Sequence, residues 1–542
     1  MKPLESLSEE WRPELRFTLP ELQFPDEVNI TEYILDPRVS AATPNKVAVY
    51  YGAERWTYAQ LSSAVHRFAS GLSDLGIRKG DVVMLRIPNR PEFMVCALAL
   101  HRIGVVVVPT MVLLAQKTLT YIANSCGAKA VIVAAESLEA LEAGLPHFET
   151  VKQVIVIGGD EGAARAKGYL PYVDLLAKEE VTVPAVRMPR DELAFISFTS
   201  GTTGEPKGCM HQTVAPLAGA FVLSAMVDGV RPDDVLGGTP PLAFVYGYGL
   251  MMMAPFRYGA AASLIPGRAT PETVLEAIQR DRITVFAGTP TMYRMILDIP
   301  DVEKRYDLSS VRIFLTASAP TPLPTFHEWR QRFGHQLINA MGSNEAHTAF
   351  IGTWKKPVKL GSLGYPFPGY ECAILDEEGN EPPPGVVGKL AYRGPTGTML
   401  WHNPNAQEKA TMKGWSFTGD AAYQDEDGCF WHCSRTDDVI KSRGYRISPE
   451  EVENAALEHP SVLEAGVIGV PDAVKGEAVK AYVVLRPGFA PSAELAEEIR
   501  GFTRERIAPY AAPSFVEFID VLPRTDLLKL NRVALRQLAA GK

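Results

Sequence analysis

The chain has 542 residues, more than one hydrophobic core supports, so two or more domains are expected. Its 46% hydrophobic and 22% charged residues exclude a disordered or fibrous chain, and a net charge of -9 argues against non-specific binding to nucleic acid or anionic membrane. No apolar run approaches the roughly 18 residues that a bilayer crossing needs, and the N-terminal stretch mixes charged with apolar side chains instead of forming a secretory signal. Six scattered cysteines, Cys96, Cys126, Cys209, Cys372, Cys429 and Cys433, fit a reducing compartment, and a cytoplasmic protein is expected.

In chain order, AVIVAA (130–135), VKQVIVIGG (151–159) and LAFISF (193–198) are short β-branched or apolar runs that predict strands. TPETVLEAIQRDR (270–282) predicts a helix capped by Thr270, and ITVFAGTP (283–290) and VRIFLTAS (311–318) predict further strands. LPTFHEWRQRFG (323–334) predicts a helix opening near Pro324. Strand and helix alternate here, which implies α/β layers with largely parallel strands. Then the texture changes: PGVVGKL, LAYRG and GWSFTGDAAYQDEDGCFWHCSR (414–435) are short and glycine-punctuated, as in antiparallel structure or a small barrel. Cys429, His432 and Cys433 in CFWHC have no second pair nearby and are read as strand residues rather than a metal site. Beyond Arg435 lie a helix opening at Ser448 and Pro449, two strands over 463–472 and 477–488, and a helix opening at Ser492, enough for a small α+β domain. The expected fold is therefore α/β, with a large N-terminal domain (1–435) of layered α/β subdomains plus a small β-barrel-like part. A small mobile α+β C-terminal domain (436–542) follows through a short polar join, which suggests a hinge.

The loop SFTSGTTGEPKG (197–208) leaves the strand LAFISF and has the chemistry of a phosphate cradle. Backbone N–H groups around Gly201 and Gly204 form a nest for phosphate oxygens, Thr199, Ser200, Thr202 and Thr203 offer hydroxyl donors, and Lys207 adds a point charge. Its spacing departs from GxxxxGK[ST], and a polar surface turn accounts for the glycines and serines but not for the lysine.

Four further segments follow in order: NAMGSNEA (339–346), GWSFTGD (414–420), SRTDDVIKSRGYRISPEEVE (434–453) and PRTDLLKLNR (523–532). With these the chain resembles the adenylate-forming superfamily of acyl-CoA synthetases, carrier-dependent adenylation domains and firefly luciferase, from AERWTYAQL at residue 53 to the C-terminal lysine. The resemblance implies a two-step reaction using ATP, Mg²⁺ and coenzyme A. It assigns the β- and γ-phosphates to Thr199 through Lys207, Mg²⁺ to Glu345, and the nucleotide to Ser318, Ala319, Pro320, Met341, Gly342, Ser343 and Asn344. It assigns the ribose hydroxyls to Asp420, the ribose or α-phosphate to Arg435, the hinge to Asp437, the pantetheine approach to Gly444, and the transition-state charge to Lys529. Four positions here depart from the family pattern: Leu528 stands where a glycine precedes the lysine, Asn344 where a threonine precedes the glutamate, Met341 where a tyrosine is usual, and Ala317 where a glycine is usual.

PPLAFVYGYGLMMMAPFRYGA (240–260) is most similar to benzoate- and 2-aminobenzoate-CoA ligases. The implied acyl walls are Phe244, Tyr246 and Tyr248, with Gly247 and Gly249 leaving space, opposite Ala340, Gly342, Ala346 and His347. Aromatic walls beside small residues suit a flat ring. The expected partners are a small aromatic carboxylic acid, ATP and CoA, with no nucleic acid and no membrane, in a monomer or homodimer. Alternatives are a medium-chain acyl-CoA synthetase, a stand-alone adenylation domain, or a non-catalytic nucleotide-binding homologue.

Overall fold

The computed structural model describes residues 1–40, 43–177, 181–199, 205–355, 357–436, 438–442, 445–472, 474–524 and 530–541. Ser200, Gly201, Thr202, Thr203, Gly204, Asp437, Gly444, Leu528 and Lys529 lie outside the described residues.

Two parallel-rich sheets build the large part of the molecule. The first has seven strands, in the order Lys207–Gln212, Leu193–Thr199, Val106–Pro109, Val82–Arg86, Ala130–Ala134, Gln153–Ile157 and Leu170–Pro171. All neighbours are parallel except the first pair, where Lys207–Gln212 doubles back on Leu193–Thr199. Ala130–Ala134 is buried at all five positions, as expected of a strand covered on both faces. The second sheet has nine strands, with Val285–Gly288, Ile313–Thr316 and Leu337–Ser343 parallel at its middle. Thr348–Gly352 then returns antiparallel beside Leu337–Ser343. Both sheets carry an antiparallel edge that the βα rhythm of the sequence did not announce.

One buried cluster joins the two sheets: Val83, Val107 and Ile132 of the first share it with Val49, Val285 and Leu315 of the second. The helix Pro91–Arg102, buried at nearly every position, also belongs to it. The predicted helices are present as Pro271–Asp281 and Leu323–Phe333, the first capped by Thr270, whose hydroxyl accepts from Thr273 N.

After residue 370 the third sheet is antiparallel, with Glu371–Leu375, Gly388–Arg393 and Trp415–Gln424 in succession. Phe430–Arg435 pairs along Trp415–Gln424 and sets Asp420 opposite Arg435. The C-terminal sheet is separate, with Ile440–Ser442, Gly476–Leu485 and Val462–Asp472 in succession, the last at its edge. It has its own core of Ile440, Val452, Val467, Val479 and Ile499. A second small cluster, Ile468, Tyr482, Leu522 and Leu535, packs the final helix Arg532–Ala539 onto the sheet.

At Gly342 a Cβ would collide with the backbone of Thr348 and Ala349 in the strand alongside. Gly342→Ala is expected to splay this pair and cost about 1–3 kcal/mol, measured by urea unfolding. A variant as stable as the parent would show that the two strands separate freely.

Candidate active site

The two sheets meet at the site through a hairpin and a turn. Thr199 ends its strand opposite Lys207, and the Thr199 hydroxyl donates to the Lys207 carbonyl at 3.4 Å. Both flank the residues assigned to phosphate. Four residues further, His211 is fully buried, with Nε2 3.0 Å from Ser197 Oγ. The His211 ring also stands edge-on to His347 at 4.5 Å, and burial pushes its pKa down to about 3, so it is neutral. His211 thus stitches the phosphate hairpin to the turn that carries Glu345.

That turn is tightly specified. The Ala346 amide donates to Ser343 Oγ at 3.1 Å, the His347 amide donates to the Asn344 carbonyl at 3.2 Å, and Thr396 Oγ1 donates to the Ala346 carbonyl at 2.5 Å. His347 is left-handed, with φ of 59°, which costs a non-glycine residue about 1 kcal/mol or more. Glu345 and Lys207 both act on Cys209: burial raises the thiol pKa well above normal, the Glu345 charge adds to this, and Lys207 opposes it. The carboxylate and the ammonium therefore share one neighbourhood. A cleft of about 430 Å³ opens beside Lys207 and Gly208, walled by Asn124, Trp401 and Asn403.

Ser318, Ala319 and Pro320 lie exposed in a loop closed by the Thr316 and Thr321 hydroxyls, 2.8 Å apart. Ser318 carries the positive φ of 78°, so the left-handed residue is Ser318 rather than Ala317. Met341, Ser343, Asn344 and Glu345 are half-buried, and Ala340 is buried.

Asp420 is buried on the third sheet, at 5% exposure. Its Oδ1 accepts from Arg435 Nη1 at 3.2 Å and from His432 Nε2 at 3.3 Å. Burial alone would raise the carboxyl, but the His432 hydrogen bond and the Arg435 charge more than offset it and hold the pKa below 3.8. Gly419, at φ 76°, lies against the Arg435 guanidinium, where a Cβ would collide. His432 reaches a second carboxylate, Glu450 Oε2, 2.8 Å from Nδ1. Burial opposes its charge, yet Glu450 and Asp420 together raise it to about 10.

The acyl-wall residues divide. Phe244 and Tyr246 are half-buried at the start of the helix Val245–Tyr248, and the Tyr246 hydroxyl has no hydrogen-bond partner among the described residues. Tyr248 is instead a core residue, fully buried and bonded to His101 Nε2 at 2.5 Å. Gly247 and Gly249 leave no space: a Cβ at Gly247 meets the Pro241 carbonyl, and one at Gly249 meets Leu223. They are small because backbone and side chains approach closely, a constraint that spacing alone does not show. His347 is buried, edge-on to Phe195 at 4.9 Å and to His211 at 4.5 Å, with neither ring nitrogen partnered among the described residues.

Comparison with known proteins matches residues 37–400 to the AMP-binding enzyme model and residues 451–529 to the AMP-binding enzyme C-terminal domain. The chain belongs to the AMP-binding enzyme family. It is 33% identical to an acetyl-coenzyme A synthetase of Bacillus subtilis (strain 168), over 94% of this chain and 90% of that protein. It is 30% identical to a benzoate–CoA ligase of Thauera aromatica, over 96% and 98%. The crystal structure of an anthranilate CoA ligase in complex with anthranoyl-AMP superposes with a TM-score of 0.89 at 30% identity, covering 97% of this chain and all of that one. The adenylate-forming superfamily and the α/β architecture with a separate C-terminal domain are thereby established, and with them an acid–CoA ligase class that uses ATP and CoA. Among the described residues no helix is long and apolar enough to cross a membrane.

Two residues at the site escaped the sequence reading, His211 and His432. His432 was read within CFWHC as a strand residue, and the only signal for His211 was a histidine in an apolar stretch, which is more often a satisfied core residue. Because folding raises His432 from 6.5 to about 10, the fold stabilises its protonated form. That contribution is complete below about pH 6.5 and is lost as pH rises through 10. The stability gap between the parent and His432→Phe is expected to shrink over this range in urea titrations. A constant gap would refute a cationic His432.

Proposed function

We propose that this acid–CoA ligase acts on benzoate or a small ring-substituted benzoate, with 2-aminobenzoate the first candidate. The observation that carries the reading is His347: a buried, neutral imidazole among aromatic rings, with two unpartnered nitrogens. A buried polar group without a partner is costly, and an acid bearing a ring amine would supply the missing hydrogen bond. The unpartnered Tyr246 hydroxyl adds a second polar group, on the acyl wall assigned opposite His347. The likeness to an anthranilate and a benzoate ligase supports this reading, whereas the acetyl-CoA synthetase at similar identity supports a small aliphatic acid.

The acid oxygen attacks the α-phosphorus of ATP, the bond to the leaving pyrophosphate breaks, and an acyl-adenylate forms. The CoA sulfur then attacks the acyl carbon, its proton is lost, and AMP leaves. Anion meets polyanion in the first step, so positive charge and donors are the main requirement. Thr199, Ser200, Gly201, Thr202, Thr203, Gly204 and Lys207 hold the leaving phosphates, and Lys529 bridges carboxylate and phosphate oxygens. Asp420 accepts from the ribose hydroxyls and Arg435 meets the ribose or α-phosphate. Met341, Gly342, Ser343 and Asn344 bound the nucleotide with Ser318, Ala319 and Pro320.

No group of three or more His, Cys, Asp or Glu side chains placed to hold a metal ion gathers among the described residues. Glu345 fits the alternative, one carboxylate completing a cation already held by substrate phosphates. Bound there, Mg²⁺ would neutralise phosphate charge. The C-terminal unit, from about residue 436, rotates about Asp437 and brings Gly444 to the pantetheine.

An ATP–pyrophosphate exchange panel is expected to show 2-aminobenzoate or benzoate as the preferred acid. Preference for acetate or medium-chain acids would overturn the aryl assignment. Lys529→Ala is expected to slow adenylation by about 10²-fold or more while leaving conversion of a supplied acyl-adenylate to the thioester largely intact. Unchanged exchange in that variant would remove Lys529 from the first step, and no exchange by the parent with any acid would favour a non-catalytic homologue.

A further inference from the structure

His432 stands between two carboxylates that belong to different parts of the molecule. Asp420 lies on the strand Trp415–Gln424 of the third sheet, and Glu450 lies in the first turn of the helix Pro449–Leu457, which packs on the C-terminal sheet. Nε2 is 3.3 Å from Asp420 Oδ1 and Nδ1 is 2.8 Å from Glu450 Oε2. All three side chains are largely shielded, at 14% exposure for His432, 7% for Asp420 and 18% for Glu450. A neutral imidazole has one N–H and one lone pair, so it can donate to only one of two carboxylates. Contact with both at hydrogen-bonding distance requires the doubly protonated ring, each nitrogen donating.

The surroundings make this cation hard to replace. Arg435 also reaches Asp420, but its side chain is 56% exposed. On the helix side, Glu451 is the exposed neighbour of Glu450, and Glu453 carries a carboxylate bonded to Arg532 at 2.6 Å, so Glu450 sits among acids. Cys433, next to His432, is buried and its thiol is pushed up to about 12, with Glu450 and Glu451 contributing, so it supplies no charge. One further contact crosses the same seam, the Ser448 hydroxyl donating to the Cys433 carbonyl. The peptide between these anchors, residues 436–447, is short and polar.

We propose that His432 is a positioning residue that latches the C-terminal unit to the nucleotide carboxylate, so that occupancy of Asp420 and the seat of that unit are coupled. The proposal rests on the reading of Asp420 as the ribose acceptor. Ribose hydroxyls donating to Asp420 compete for or reorganise the oxygen that His432 holds, and the change is passed through one ring to Glu450. Rotation of the C-terminal unit about the join would in turn withdraw Glu450, leaving His432 to Asp420 alone. Linkage requires the effect to run both ways.

The test uses the full-length protein, with AMP as the probe. Tryptic cleavage in the join, which contains Lys441 and Arg443, reports release of the C-terminal unit. His432→Phe and Glu450→Gln are each expected to accelerate cleavage of the AMP-free protein about fivefold, and the double variant no more than either alone, because both break one bridge. AMP affinity is expected to rise about fivefold in Glu450→Gln, because AMP and the latched His432 compete for one Asp420 oxygen, although Glu450 is no part of the ribose site. Additive cleavage effects, or parental AMP affinity in Glu450→Gln, would overturn the proposal. If His432→Phe fails to fold, the affinity and cleavage of Glu450→Gln decide alone. Asp420→Asn separates the two readings: AMP affinity unchanged in that variant would sink the ribose assignment and with it the coupling, while a non-additive cleavage result in AMP-free protein would still establish the bridge.

Discussion

The site depends on one buried contact between the two large sheets. His211 lies on the antiparallel edge of the first sheet, meets Ser197 with one nitrogen, and packs edge-on against His347 in the turn that follows Leu337–Ser343 of the second. Neither edge alone defines a site. Held together, they bring Thr199 and Lys207 to the same region as Glu345, with Cys209 feeling both charges. The contact is a neutral one in a dry environment, where a satisfied hydrogen bond is strong and an unsatisfied one is costly. Phosphate donors and a carboxylate can be set against each other only if such a contact prevents the sheets from sliding.

Charge is handled differently on the third sheet. There Asp420 is buried as an anion and stabilised by two cations, one exposed and one shielded. Burying a charge is tolerated when hydrogen bonds satisfy it, and His432 and Arg435 supply them. Because one of these cations also reaches Glu450, the electrostatics of a nucleotide-facing residue extend into the C-terminal sheet. In an enzyme family that performs two half-reactions at one place, such a contact is where binding and domain arrangement can influence each other.

Two of the left-handed non-glycine residues lie beside these groups. Ser318 and His347 are both left-handed without being glycine, and both lie in segments that the family resemblance assigns to the nucleotide or the acid. Their neighbours hold them there: the Thr316 and Thr321 hydroxyls close one loop, and the Ser343, Asn344 and Thr396 bonds close the other. Loops held this firmly present preorganised polar groups rather than searching for them.

Local chemistry alone determined a good deal. Runs such as AVIVA form strands because β-branched apolar residues pack on both faces of a parallel sheet, and Thr270 and Ser492 start helices because their hydroxyls accept orphan amides. The ordered motifs were enough to name the family, since each depends on residue type and spacing along the chain. Tertiary structure decided what depends on distant partners. Gly247 and Gly249 looked like room for a substrate but are filled by Pro241 and Leu223, and Tyr248 looked like a wall but is bonded to His101 in the core. His211 and His432 looked like ordinary strand residues, and their roles exist only because segments far apart in sequence meet on them. A side chain's type and spacing are local properties, but its desolvation and its partners are set by the fold.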